Sequence, residues 1–249
     1  IIRNRRATSD VKFTKRYAKT IRIQLSEQEK ALYESVSDVV RSQYKGSPQQ
    51  VKMALRILQE EIGSIPPAAV STLESLKDKL PDSAQIDGLI EQCSLIAFPE
   101  KVKVLIDVIH KIPDKVIVFT KFRASHTAIM AALEKHGIRY SPLHGGLTRH
   151  EKEKSIKEFQ NTSKALVSTD VGSEGRNLQF CNHIINFDLP WNPMKIEQRI
   201  GRISRIGQEK EVHVTNLSAK DTIEDHILYL LDAKINMFEL VIGEIDVIL

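Results

Sequence analysis

Apolar positions follow two rhythms along this chain, and the switches between them predict its elements. Thr20–Leu25 alternates, with Ile21, Ile23 and Leu25 on one face, as a short strand does. Ser26 and Glu29 then form a capping-box pattern. Leu32, Tyr33, Val36, Val39 and Val40 recur at helical spacing until Gly46-Ser47-Pro48 breaks the run. Residues 48–94 keep the helical rhythm with two interruptions. Val51, Leu55 and Leu58 lead to a stop at Gly63, and Ile65-Pro66-Pro67 reads as a hinge between helices. Leu73, Leu76 and Leu80 continue the pattern to Pro81, and Ile86, Leu89 and Ile90 predict one more short helix.

From Pro99 the character changes. Pro99 suits a first helical position, and Val102, Leu105, Ile106 and Ile109 form a stripe behind it. There follow a strand at Lys115–Phe119, a helix at Ala124–His136 that stops at Gly137, and a strand at Ile138–Pro142. A helix opens at Thr148 with Glu151 completing its capping box, and strands come next at Ala165–Ser168 and His183–Phe187. The second of these leads through Asp188–Pro193 into a basic helix carrying Gln198, Gly201, Arg202 and Arg205. At 3.6 residues per turn these four share one side, while Ile196, Ile200 and Ile203 share the other. A strand at Val212–Leu217 and a final helix from Thr222, with Ile223, Ile227, Leu230, Leu231 and Phe238 inward, complete the chain. Strands separated by helices predict an α/β fold, a parallel sheet with helices on both faces.

Composition adds bounds. The chain has 249 residues, 41% hydrophobic and 27% charged, an ordinary globular balance. No apolar run approaches the roughly 20 residues of a membrane span, and no signal peptide is seen. The first residue is Ile1 rather than Met, so the chain reads as a piece of a longer protein. Cys93 and Cys181 stand alone, which argues against a zinc site or disulfide framework and for a reducing interior. His144 and His150 have no carboxylate or cysteine at ligand spacing and read as a turn residue and a surface residue, not as metal ligands. Net charge is +4, but Ile1–Arg22 holds eight Lys/Arg against one Asp, a segment suited to phosphate backbones or to a solvated tether.

The chemistry gathers after the strands. In open α/β sheets ligands bind at the carboxyl ends of strands, and each glycine- or charge-bearing stretch sits just there. Gly145, Gly146, Gly172 and Gly175 let backbone amides approach phosphate oxygens; Thr120 and Thr169 add hydroxyls; Lys121 and Arg123 add charge. Such a surface positions a nucleic-acid backbone without reading bases. The glutamine and two guanidinium groups of the basic helix suit a multiply charged phosphate, because guanidinium is always cationic and donates in a fixed fork.

These stretches resemble a known set. QxxGRxxR, Gln198 to Arg205, resembles motif six of superfamily-two helicases, and its continuation RIGQ, Arg205–Gln208, resembles the Swi/Snf-type DNA translocases. STDVGSEGRNL (Ser168–Leu178) resembles motif five, and FDLPWNP (Phe187–Pro193) the loop after it. VIVFTKFRAS (Val116–Ser125) resembles motif four, LHGG (Leu143–Gly146) motif four-a, and RNRRATSDV (Arg3–Val11) the segment between two motor lobes. Many eukaryotic members have a GGxGxNL-like motif five and lack Gly201. This chain has Gly172-Ser173-Glu174-Gly175-Arg176-Asn177-Leu178 and keeps Gly201, as in the bacterial and archaeal branch that includes RNA-polymerase-recycling translocases.

The resemblance implies a RecA-like second motor lobe over residues 99–249, an inter-lobe linker and short strand over 1–25, and a helical insertion over 26–98. It implies Arg205 as arginine finger, with Arg202 and Gln198 also at the ATP phosphates. Gly175, Asn177, Glu174 and Gly172 would lie near the nucleotide. Thr120, Lys121, Arg123, Gly145, Gly146, Thr169 and Asp170 would contact DNA, and Asp188, Trp191 and Asn192 would couple the two sites. Neither a GxxxxGK[ST] loop nor a DExH or DExD box is present, so ATP with its magnesium is expected mainly on a first lobe preceding Ile1. The expected partners are double-stranded DNA and that lobe, in a prokaryotic cytoplasm on the nucleoid. Two other readings stay open: an RNA-directed helicase lobe, and a degenerate DNA- or partner-binding scaffold.

Overall fold

The computed structural model describes residues 14–204 and 208–231. Six parallel strands form one sheet: β1 (Arg16–Ile23), β2 (Val116–Phe119), β3 (Tyr140–Leu143), β4 (Ala165–Ser168), β5 (His183–Asn186) and β6 (Val212–Ala219), in the spatial order β1-β6-β5-β2-β4-β3. The inner strands are buried on both faces, which explains their unbroken apolar runs. Val116 and Val118 join one cluster with Leu105, Ile109, Ile129 and Leu133, while Ile117 and Phe119 join another with Phe159, Leu178, Ile200 and Ile203.

Helices α1 (Glu27–Tyr44), α2 (Gln49–Ser64), α3 (Pro66–Leu76) and α4 (Ser83–Leu95) follow β1 and pack around a core of their own, including Leu32, Leu55, Leu73 and Leu89. Then come α5 (Glu100–Lys111), α6 (Arg123–Lys135), α7 (Arg149–Asn161), the one-turn α8 (Asp170–Ser173) and α9 (Pro193–Ile200). A last helix is described over 223–231. Both expected capping boxes form: Ser26 with Glu29, and Thr148 with Glu151. Among the described residues no helix is long and apolar enough to cross a membrane.

Several boundaries differ from the sequence expectation. β1 begins at Arg16 rather than Thr20 and pairs with β6 along its whole length, so it is an edge strand of the sheet. Its outward alternation is weak because much of it is exposed, which hid its first half. Pro99 is the cap of α5, one place before the first helical residue. Leu228 is buried in the last helix, with Ile227 and Leu231. The largest difference is α9, which ends at Ile200, short of Arg202. There the backbone tightens: Arg202 N–H donates to Arg199 O at 3.1 Å and Ile203 N–H to Ile200 O at 3.0 Å. Such i→i+3 bonds close a final helical turn. Ile203 is still fully buried, so the apolar side of the expected helix survives in the turn.

Candidate functional site

All four motif-bearing segments emerge at the carboxyl edge of the sheet. Beneath them lies a lattice of buried polar side chains. Asp188, which follows β5, is 3% exposed. Its Oδ2 accepts from the Thr120 hydroxyl at 2.6 Å and the Lys121 N–H at 2.7 Å. Its Oδ1 accepts from the Ser64 hydroxyl of α2 at 2.6 Å. A buried carboxylate needs such donors, because desolvation otherwise disfavours its charge.

Arg199 is the second node and is also 3% exposed. It grips Asp170 in a fork, Nε to Oδ1 at 2.6 Å and Nη2 to Oδ2 at 3.2 Å. Its Nη1 donates to Asn186 Oδ1 at 2.8 Å and Asp188 O at 3.0 Å, and its guanidinium lies 5.0 Å from the Phe119 ring centre. One side chain thus ties the start of α8, the end of β5 and the loop after it into a fixed arrangement.

Two glycines have steric reasons. A Cβ on Gly172 would lie 2.3 Å from Leu143 O, so only glycine lets α8 press against the end of β3. Gly175 has φ +73°, the left-handed region. Thr169 caps α8, its Oγ1 accepting from Gly172 N–H at 3.2 Å, and Asn192 caps α9, its Oδ1 accepting from Met194 N–H at 3.0 Å.

The expected site residues therefore separate into two groups. Thr120 and Asp170, read as nucleic-acid contacts, are committed inward: Thr120 is fully buried with its hydroxyl on Asp188, and Asp170 holds Arg199. Physically, Asp188 claims the Thr120 donor, and Asp170, a carboxylate with no donor to offer a phosphate, accepts from Arg199 instead. Lys121, Arg123, Gly145, Gly146, Glu174, Gly175, Asn177 and Gln198 are exposed, and Thr169 and Arg202 are half-buried. Lys121 is engaged by the Glu60 carboxylate of α2. Asn177 folds onto Gln179, whose N–H donates to Asn177 Oδ1 at 3.2 Å. Gly146 N–H donates to His144 Nδ1 at 3.2 Å, which makes His144 a turn residue as read. Gly172 is buried. Arg205 lies outside the described residues.

The motif-five loop and the motif-six turn meet directly. Leu178 N–H donates to Arg202 O at 3.1 Å. Gln208 locks this junction from below, its Nε2 lying 2.9 Å from Gln179 O, 2.9 Å from Ile203 O and 3.3 Å from Cys181 O. Among the described residues no carboxylate pairs with Arg202, which is half-buried. Trp191 is 41% exposed and forms the shared wall of two clefts. One, of about 190 Å³, is lined by Lys121, Asp170, Asn192, Lys195 and Arg199. The other, of about 500 Å³, opens toward Val40, Arg56, Gln59 and Glu60 of α1 and α2. Among the described residues no group of three or more His, Cys, Asp or Glu could hold a metal ion.

Arg199, Gln208, Glu60 and Lys101 were missed by sequence reasoning. For Gln208 a signal existed, since it closes the RIGQ pattern. For the others the partners lie 29 to 123 residues away, beyond any local spacing.

Comparison with known proteins accords with this geometry. The family of the helicase conserved C-terminal domain matches residues 100–207. A Bacillus subtilis protein, described as the uncharacterized ATP-dependent helicase YqhH, is 41% identical over the whole chain, which spans 45% of that protein. The RNA polymerase-associated protein RapA of Vibrio campbellii is 32% identical over 77% of the chain, which spans 20% of that protein. The chain thus spans less than half the length of these relatives. In structure it is similar to the C-terminal part of the Fun30 ATPase domain, with TM-score 0.67 and 18% identity over 88% of this chain and 90% of that one. It is also similar to the Hef helicase domain of Pyrococcus furiosus, with TM-score 0.62 and 17% identity over 87% and 58%. Motifs, fold and relatives agree that residues 100–207 are a helicase conserved C-terminal domain, set in a RecA-like lobe whose homologues are Swi/Snf-type superfamily-two helicases.

Proposed function

We propose that this chain is the second motor lobe of an ATP-dependent double-stranded DNA translocase. The observation that carries the reading is the junction of the Gly175 loop with the turn that presents Arg202, held rigid from below by Arg199 and Gln208. Arg202 and Arg205 would neutralise charge developing on the transferred phosphoryl group, with Arg205 the finger, and Gln198 would orient a phosphate or the attacking water. ATP with its magnesium would be held mainly by the first lobe, which supplies the phosphate loop and the metal ligands. Such a finger is worth ~10³–10⁵ in rate where it has been measured. Lys121, Arg123, Thr169 and the Gly145 amide, with Gly146 beside it, would track the DNA backbone without reading bases. Thr120, Asp170 and Asp188 serve that surface by holding it in place. Closure of the two lobes on ATP, and reopening after hydrolysis, would alternate the grip on DNA.

The test is ATP hydrolysis by the full-length protein, with and without duplex DNA, for wild type, Arg202→Ala and Arg205→Ala. Duplex-stimulated turnover that collapses in both variants while DNA binding survives is expected. Stimulation by RNA instead of duplex DNA would move the assignment to an RNA-directed lobe. Absence of turnover in the wild type would leave a scaffold. This chain without the first lobe is expected to hydrolyse no ATP.

A further inference from the structure

Lys101 is among the largest fully buried side chains in the molecule, at 1% exposure, and no motif accounts for it. It sits in the first turn of α5. Its Nζ lies 2.5 Å from Glu224 Oε1 of the last helix and 3.5 Å from Asp188 Oδ1, and 4.7 Å from the centre of the Phe187 ring. Glu224 is 4% exposed, and its other oxygen accepts from Ala219 N–H at 3.0 Å. Two buried carboxylates thus share one ammonium. Burial, with Asp188 nearby, pushes the Glu224 carboxyl up to about 7, although Lys101 pulls the other way.

The position of this network is what gives it meaning. Asp188 fixes the Lys121 N–H and the Thr120 hydroxyl, and three residues later the same loop presents Trp191 between the two clefts. Ser64 brings α2 to the same carboxylate. A core that needed only apolar packing would have a methionine or leucine at position 101, because burying an ion pair is often no better than burying hydrocarbon. An ammonium has direction where hydrocarbon has none: its charge lies 3.5 Å from Asp188 Oδ1, on the carboxylate at which the loop 188–193 begins.

We propose that Lys101 is a positioning residue of the motor, which anchors Asp188 and through it the Trp191 loop and the Lys121 backbone, with Glu224 of the last helix as its charge partner. The proposal rests on the motor reading for its effect on turnover, but not for its structural test.

Trp191 is the sole tryptophan of the chain, so its emission reports the loop directly. The variants are Lys101→Met, the double variant Lys101→Met with Glu224→Gln, and Glu224→Gln alone. Emission and Tm are read on the chain, and ATP turnover on the full-length protein. Lys101→Met is expected to lower Tm and shift Trp191 emission to the red. Adding Glu224→Gln replaces the carboxyl that has lost its ammonium by a neutral amide and is expected to restore much of the Tm, yet leave emission displaced. In the full-length protein, DNA-stimulated kcat stays reduced, by up to ~10²-fold as for a small misplacement remote from the chemistry, with KM for ATP unchanged. Glu224→Gln alone keeps Lys101 on Asp188 and is expected to leave emission in place. Emission that returns with Tm in the double variant would overturn the proposal, because Lys101 would then merely neutralise charge. Emission that moves in Glu224→Gln alone would overturn it too, by making the last helix the anchor. If Lys101→Met does not fold, the other two variants still decide. Absence of DNA-stimulated turnover in the wild type would count against the motor reading and leave the emission results to judge Lys101.

Discussion

The helical subdomain and the carboxyl edge of the sheet are built on opposite principles. The core of α1 to α4 is apolar: Leu55, Leu58, Leu73 and Leu76 are fully buried or nearly so, against Val36, Ile86 and Cys93. The sheet edge buries Lys101, Thr120, Asn186, Asp188, Arg199 and Glu224, brought together from distant parts of the chain. Apolar packing is non-directional and tolerates rearrangement at near-constant volume. Charged hydrogen bonds hold atoms at defined places, and they are costly to leave half-made. The first solution makes a stable body; the second holds loops at defined places.

This contrast can be broken most severely at Arg199. Arg199→Met would strand Asp170 and leave acceptors on Asn186 and Asp188 unpaired. The expected cost is about 3 kcal/mol, the low end for breaking a buried pair because Asp170 is partly solvated, with displaced Trp191 emission. Urea unfolding followed by both far-ultraviolet dichroism and Trp191 checks it. Equal stability would mean that the lattice is decorative.

Leu73→Ala tests the other side. Removing a fully buried leucine should cost ~2–5 kcal/mol, yet leave native Trp191 emission unchanged, since apolar loss is not transmitted to the loop. Displaced emission would show that the two regions are one mechanical unit.

A pH series sharpens the comparison further. The Glu224 carboxyl, ordinarily near 4.5, is pushed up to about 7 by burial, so the folded state keeps a proton that the unfolded chain has released. Its stabilising contribution is present below about 4.5 and lost as pH rises through about 7. Glu224→Gln cannot ionise, so its Tm should gain on the wild type as pH rises through that window. A constant difference would refute the assignment. Glu61 of α2 is also pushed up to about 7 by burial, and it adds the same slope to both proteins.

The smallest effect is expected at Glu60, where the subdomain reaches across to Lys121. The lysine is exposed, so the pair contributes little stability, below about 1 kcal/mol. Glu60→Gln should nevertheless free a cation for phosphate, raising duplex DNA affinity a few-fold and steepening its fall with salt. Unchanged affinity, measured by anisotropy across a salt series, would remove Lys121 from the DNA surface.

Local chemistry decided much of this molecule, and it was readable. Ser26 with Glu29 and Thr148 with Glu151 begin helices because a side chain satisfies amides three residues away. Unbroken apolar runs at β2, β4 and β5 foretold strands buried on both faces, and the parallel order then put every motif on one edge. Even the need for glycine at 172 and 175 could be suspected, although its cause, contact with Leu143 in one case and a positive φ in the other, could not.

Partner choice over distance was beyond that reading. Arg199 looked like one more polar residue on a basic helix until Asp170, 29 positions earlier, closed on it. Thr120 and Asp170 looked available to a nucleic acid until the fold brought donors and acceptors to them first. Lys101 carried no sign of its role because Glu224 is 123 residues away. Hydrophobic period and capping act within a few residues and are written in order along the chain. Electrostatic pairing in a buried, low-dielectric interior depends on which groups the sheet happens to bring together. The sequence alone therefore determined the elements and the edge on which chemistry gathers, and the tertiary structure decided which of those side chains face outward to act and which face inward to hold.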